Sequence, residues 1–192
     1  KDIIFQVYED TANQANQEIL RIDGTKGMVG VRTDSPQVAL DVHMAGNADP
    51  NKLSSAKGGG EVVYFGTAAS SGGQKPAAGK LMYLNTSGVW ENADASSVST
   101  GADSLLAIAL GGAVSDGMML RGFFNGSTYM PTVAIGKALY VSETAGYMVT
   151  SRPSTSSAYV RIVGYFLAGG AGESGTVQVF YFNPDSTWVE IN

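Results

Sequence analysis

Apolar and polar side chains alternate from the first residues of the chain. In IIFQVYE, Ile3, Phe5 and Val7 fall on one side of an extended backbone, and Ile4, Gln6 and Tyr8 on the other. Both sides carry apolar groups, which predicts a strand covered on both faces. The polar stretch DTANQANQ interrupts it, and EILRID resumes the strand pattern. Asp23-Gly24 predicts a turn there, because glycine tolerates positive φ. GMVGVR is the next strand, and Ser35-Pro36 ends it, since proline has no N–H to give to a ladder. In QVALDVHM, Val38, Leu40, Val42 and Met44 share one face, while Gln37, Ala39, Asp41 and His43 share the other. Residues 1–44 therefore predict a small β meander, too small to be stable alone. Its cheapest partners are other copies of itself. Val29, Val31, Val38, Leu40, Val42 and Met44 are the candidates for that oligomer or core interface.

Residues 45–60, AGNADPNKLSSAKGGG, are small and polar and end in glycines, so they read as a linker. Beyond them strand-like runs recur: EVVYFGTA, KLMYLN, VWENAD, SLLAIALG, GMMLRGFF, KALYVS, YMVT, YVRIVGYFLA, TVQVFYF and TWVEI. Ser87-Gly88, Asp116-Gly117, Asn125-Gly126, Ala145-Gly146 and Asn183-Pro184 punctuate them. No stretch of ten or more residues keeps a 3.6-residue period. SSVSTGADSLLAIALG comes nearest, but glycines bracket its apolar run, which favours a strand. The expected fold is all-β: a small oligomerising N-terminal segment, then a barrel or sandwich knob over residues 61–192.

Composition sharpens this picture. Of the 192 residues 44% are hydrophobic and only 15% charged, so a real core is available and intrinsic disorder is disfavoured. The 25 glycines suit many short strands joined by tight turns. A net charge of −5 and the lack of a Lys/Arg cluster argue against nucleic acid as a partner. Cysteine is absent, which excludes a disulfide framework and thiolate metal sites. No apolar run approaches the ~20 residues of a membrane span, so membrane insertion is not expected. The opening KDIIFQVYED has no initiator Met and lacks the charged, apolar, small-residue order of a signal peptide.

The search for reactive chemistry finds little. His43 beside Asp41 has the residue types of a base or ligand, but no second His exists to build a site with it, and an exposed strand position is the plainer reading. Around Ser174 the spacing of GAGESGT fails the nucleophile-elbow pattern. GGQKPAAGK resembles a phosphate loop only loosely, and Leu81 stands where Ser or Thr would hold Mg²⁺. The carboxylates lie mainly at turns and strand ends, as turn formers do. No catalytic residue, cofactor or metal is expected. Trp90, Tyr129, Tyr147 and Trp188 have rings suited to stacking on sugars, with core or interface packing the default. Tyr129, in the loop-like NGSTYMP, is the candidate for surface recognition.

GMVGVRTDSPQVALDV resembles a segment common in phage tail fibres and related virion appendages, G-x-V-G-I-G-T-x-S-P-x-x-x-L-D-V. Gly27, Val29, Gly30, Thr33, Ser35, Pro36, Leu40, Asp41 and Val42 match it, Val31 is a conservative match, and Arg32 stands where a glycine is usual. In such proteins the segment lies in an intertwined trimeric β-rich shaft, so the resemblance implies a homotrimer. From Gly79 to Asn192, GKLMYLNTSGVWENADAS, LLAIALGGAVSDGMMLRGFF, IGKALYVSETAGYMVTSRP, VRIVGYFL and YFNPDSTWVEI look like the β-barrel module near the ends of phage fibres. They are also similar to head-decoration proteins.

The expectation is a non-enzymatic structural protein on the surface of a tailed-phage virion. It would be a fibre- or spike-like appendage that contacts other virion proteins and contributes to attachment to a host glycan or protein. A capsid decoration or head-fibre protein is the alternative. A polysaccharide-degrading tailspike ranks third, because the long β-helix usual in such enzymes has no room here.

Overall fold

The computed structural model describes residues 1–7, 17–31, 39–42, 58–69, 74–126, 134–168 and 179–192. The chain is all-β. It divides into two compact units, Lys1–Ala48 and Asp49–Asn192.

The first unit is a four-stranded sheet in the order β1 (Ile3–Val7), β2 (Gln17–Asp23), β3 (Met28–Val31), β4 (Leu40–Val42). The first three strands run antiparallel. The Asp23 carboxylate closes the β2–β3 turn by accepting from the N–H groups of Thr25 and Lys26, both at 2.9 Å. These bonds hold its pKa below the ordinary carboxylate value. Positive φ falls on Gly27 (68°) and not on Gly24, where the sequence placed it. Gly24 is needed for a different reason: a Cβ there would collide with the Lys1 carbonyl oxygen. The expected meander stops at β3, because β4 pairs with it in parallel, Val29 with Leu40 and Val31 with Val42. Parallel pairing cannot be closed by a tight hairpin. Pro36 itself lies outside the described residues.

The second unit holds a ten-stranded sheet. Its strands are β5 (Gly58–Val63), β6 (Thr67–Ala68), β7 (Leu81–Leu84), β8 (Val89–Asn92), β9 (Leu106–Ala109), β10 (Met118–Asn125), β11 (Ala138–Val141), β12 (Met148–Val149), β14 (Ile162–Ala168) and β15 (Val179–Phe182). β13 (Tyr159–Val160) and β16 (Val189–Glu190) form a separate pair. The order is β12-β11-β14-β15-β10-β9-β7-β8-β6, with β5 on the other edge of β10. Among the described residues no ladder joins β12 to β6, so the sheet is not a closed barrel. Gly58–Gly60, which read as the end of the linker, are the first half of β5 and pair with Gly122–Phe124.

β10 is where the sheet branches. One edge carries β5 along its length, while the other carries β9 at Met118–Met119 and then β15 from Gly122 to Asn125. Glycines make this possible. Gly122 has φ 146°, and a Cβ on Gly60 or Gly164 would strike the carbonyl oxygen of Arg121 or Tyr181. The two arms share one core. Leu81, Tyr83, Leu106 and Ile108 from one arm meet Leu139, Val163, Phe166, Phe180 and Phe182 from the other. The β7–β9 arm is apolar on its far side too, where Met82, Trp90, Ala107, Ala109 and Met118 are fully buried. That double burial explains why LMYL and LAIA read as unbroken apolar runs without alternation. The region preceding β9 is a 3-10 turn, Val98–Thr100, capped by Ser97 and ended by Gly101 at φ 116°.

Candidate functional site

The first unit carries an apolar row across β1, β2 and β3. Register pairing places Ile3 and Phe5 beside Ile22 and Leu20, then Val29 and Val31. Leu40 and Val42 take the corresponding register positions on β4. The other face reads Ile4, Arg21, Gly30 and Asp41 at matching positions, with Arg21 donating to Asp2 at 2.8 Å. A one-sided sheet needs something on its apolar side. None of the described residues of this unit supplies it: Ile3 and Phe5 are 55% and 56% exposed, and Ile22 38%. Among the described residues of this unit, the expected cover on both faces of β1 is not found. What remains is an apolar face exposed at Ile3, Phe5 and Ile22.

Val29 and Val31, expected at the interface, lie half-buried in this row. Leu40 and Val42 share its register. Val38, Met44, His43 and Tyr129 lie outside the described residues. Ile3, Phe5, Leu20 and Ile22 were not singled out from sequence, although their period of two was visible. What was missing was the pairing that puts them in line with Val29 and Val31.

In the second unit most of the polar side chains that attract notice bind backbone. Arg161 is buried, and its Nε donates to the Asp185 carbonyl at 2.7 Å. Its Nη1 reaches the carbonyls of Gly101, Ala102 and Ser104 at 2.8, 3.0 and 2.9 Å. Burial pulls its pKa below the ordinary guanidinium value. Glu143 accepts from Ser154 N–H and from the N–H and hydroxyl of Thr155. These bonds, the Thr155 hydroxyl first, hold its pKa below the ordinary value of 4.5. Tyr83 donates to Glu91 at 2.6 Å, and burial together with that bond pushes its pKa up to about 12. Asp94, Asp116 and Asp185 each accept a backbone N–H in a turn. No group of three or more metal-ligating side chains occurs among the described residues.

Of the rings proposed for sugar stacking, Trp90 is fully buried and donates its Nε1–H to the Phe65 carbonyl at 2.9 Å. Trp188 packs edge-on against Tyr159 at 6.3 Å. Tyr147 is exposed but lies under Lys80, whose Nζ stands 3.5 Å from the ring centre. That contact also employs the lysine of the loop that resembled a phosphate cradle. Comparison with protein-family models, with curated proteins and with solved structures finds no match.

Proposed function

We propose that this chain is a non-enzymatic structural protein of a tailed-phage virion, a fibre- or spike-like appendage displayed on the particle surface. The observation that carries the reading is the apolar row of the first unit, exposed at Ile3, Phe5 and Ile22 and unpartnered among that unit's described residues. Copies of the same row would cover it, and the resemblance of residues 27–42 to fibre segments favours a threefold axis. The second unit then forms a displayed knob. Its buried Arg161 ties backbone carbonyls of two segments together, which suits a module that must persist outside the cell.

The test is localisation. Antibodies raised against the chain should label the tail or its fibres on intact particles of the phage that encodes it. Label confined to the head would replace this reading with the capsid-decoration one. Particles that carry no label at all would sink both.

A further inference from the structure

The outer side of the β5-β10-β15-β14 arm carries a line of aromatic rings. Phe123, Tyr181 and Tyr165 are register partners on adjacent strands. They alternate with Phe124, Phe180 and Phe166, which point into the shared core. Phe123 and Tyr181 stand 5.3 Å apart and are tilted by 43°. Tyr165 is 44% exposed. Arg121 donates its Nε–H to the Tyr181 hydroxyl at 2.8 Å and lies 5.9 Å from that ring's centre, so the ring is held in place. On β5 the register partner of Phe123 is Gly59, so no side chain of β5 stands opposite that ring. Glu61 stands opposite Arg121 and is exposed.

Three features select the ligand. Phe123 and Tyr181 stand 5.3 Å apart on adjacent strands, close to the length of one hexose unit laid across the strands. Each tyrosine pairs an apolar face with a polar tip, the combination that a sugar's C–H face and hydroxyl rim require. Arg121 opposite Glu61 leaves the platform without net charge, on a chain of net charge −5. Charge complementarity therefore disfavours a polyanion and fits an uncharged sugar. We propose that this face binds neutral hexose oligosaccharides. Tyr165 and Phe123 stack on the sugar rings, and Arg121 and Glu61 bond their hydroxyls. The inference rests on reading the chain as a module displayed on a particle surface.

The experiment is an array of neutral and acidic oligosaccharides probed with the full chain, followed by calorimetric titration of the tightest neutral binder. The expected result is binding to a neutral hexose oligomer that is insensitive to salt. Tyr165→Ala should weaken it about tenfold or more without altering melting temperature or solution mass. Arg121→Gln, at an exposed position, serves as a second variant and should weaken it as well. Three results would overturn the proposal: no neutral oligomer bound, acidic glycans only, or binding that both variants leave intact. A change of solution mass in Tyr165→Ala would make the face a subunit contact and overturn it too. Particle labelling is read independently, so a chain that binds sugar but labels no virion separates the two failures.

Discussion

Removing Arg161 should cost the second unit more stability than removing any other single polar side chain described above. The guanidinium satisfies four backbone carbonyls, of Asp185, Gly101, Ala102 and Ser104, at 2.7 to 3.0 Å. It thereby ties the loop before β9 to the segment after β15. Arg161→Met keeps the length of the side chain and removes every donor. A carbonyl left dry costs about 1–3 kcal/mol, so four would cost at least about 4 kcal/mol. Two effects reduce this: water enters part of the vacated space, and the penalty of burying a charge is recovered. A net loss of about 3 kcal/mol is the expectation, which for a domain of this size lowers the melting temperature by roughly 6–12 °C. Arg161→Lys keeps the charge but not the fork that reaches both loops, and should fall between wild type and Met. Circular dichroism melts and guanidinium titrations of the three proteins measure this. A Met variant that melts with wild type, or a Lys variant no better than Met, would refute the clamp.

The glycines at the sheet branch make a second expectation. Gly164→Ala drives a Cβ into the Tyr181 carbonyl, and Gly60→Ala into that of Arg121, so both should lower the denaturation midpoint, whereas Gly112→Ala, with open space around it, should not. Trp90→Phe removes the donor to the Phe65 carbonyl and should cost about 1–3 kcal/mol in a denaturant titration. Acid should weaken the Glu143 clamp. The folded pKa lies below 4.5, so its contribution is fully present above that value and is lost as pH falls through the lowered one. Melting curves of wild type and Glu143→Gln should differ at neutral pH and converge in acid, and a constant gap would refute this.

Much of the fold was legible because strand alternation is a local signal. The rows Ile3/Phe5, Leu20/Ile22 and Val29/Val31 each show the period of two within a few residues. What sequence hid was pairing over distance. The parallel partnership of β3 and β4 replaces the last step of the expected meander, yet no local residue announces it. GGG at 58–60 looked like linker, because its strand role exists only against the backbone of Gly122–Phe124. Arg161 sits inside the apolar run YVRIVGYFLA and was absorbed into a strand, although a lone arginine there is itself a signal of a buried clamp. Three of its four carbonyl partners lie 57 to 60 residues away. The aromatic row was missed for the same reason: Phe123, Tyr165 and Tyr181 meet only through register.

The solution mass of the full chain by light scattering, with Phe5→Glu beside it, decides whether copies of the chain cover the apolar row. More than half of Phe5 is exposed. Burying the remainder, on the order of 100 Å², contributes about 2.5 kcal/mol per copy, and a carboxylate there reverses the sign. The expected result is a wild-type mass near three times 19.9 kDa, with Phe5→Glu shifted toward a single chain while the second unit melts unchanged. A wild-type chain that stays at 19.9 kDa at every concentration, or a Phe5→Glu variant that assembles as wild type does, would contradict it.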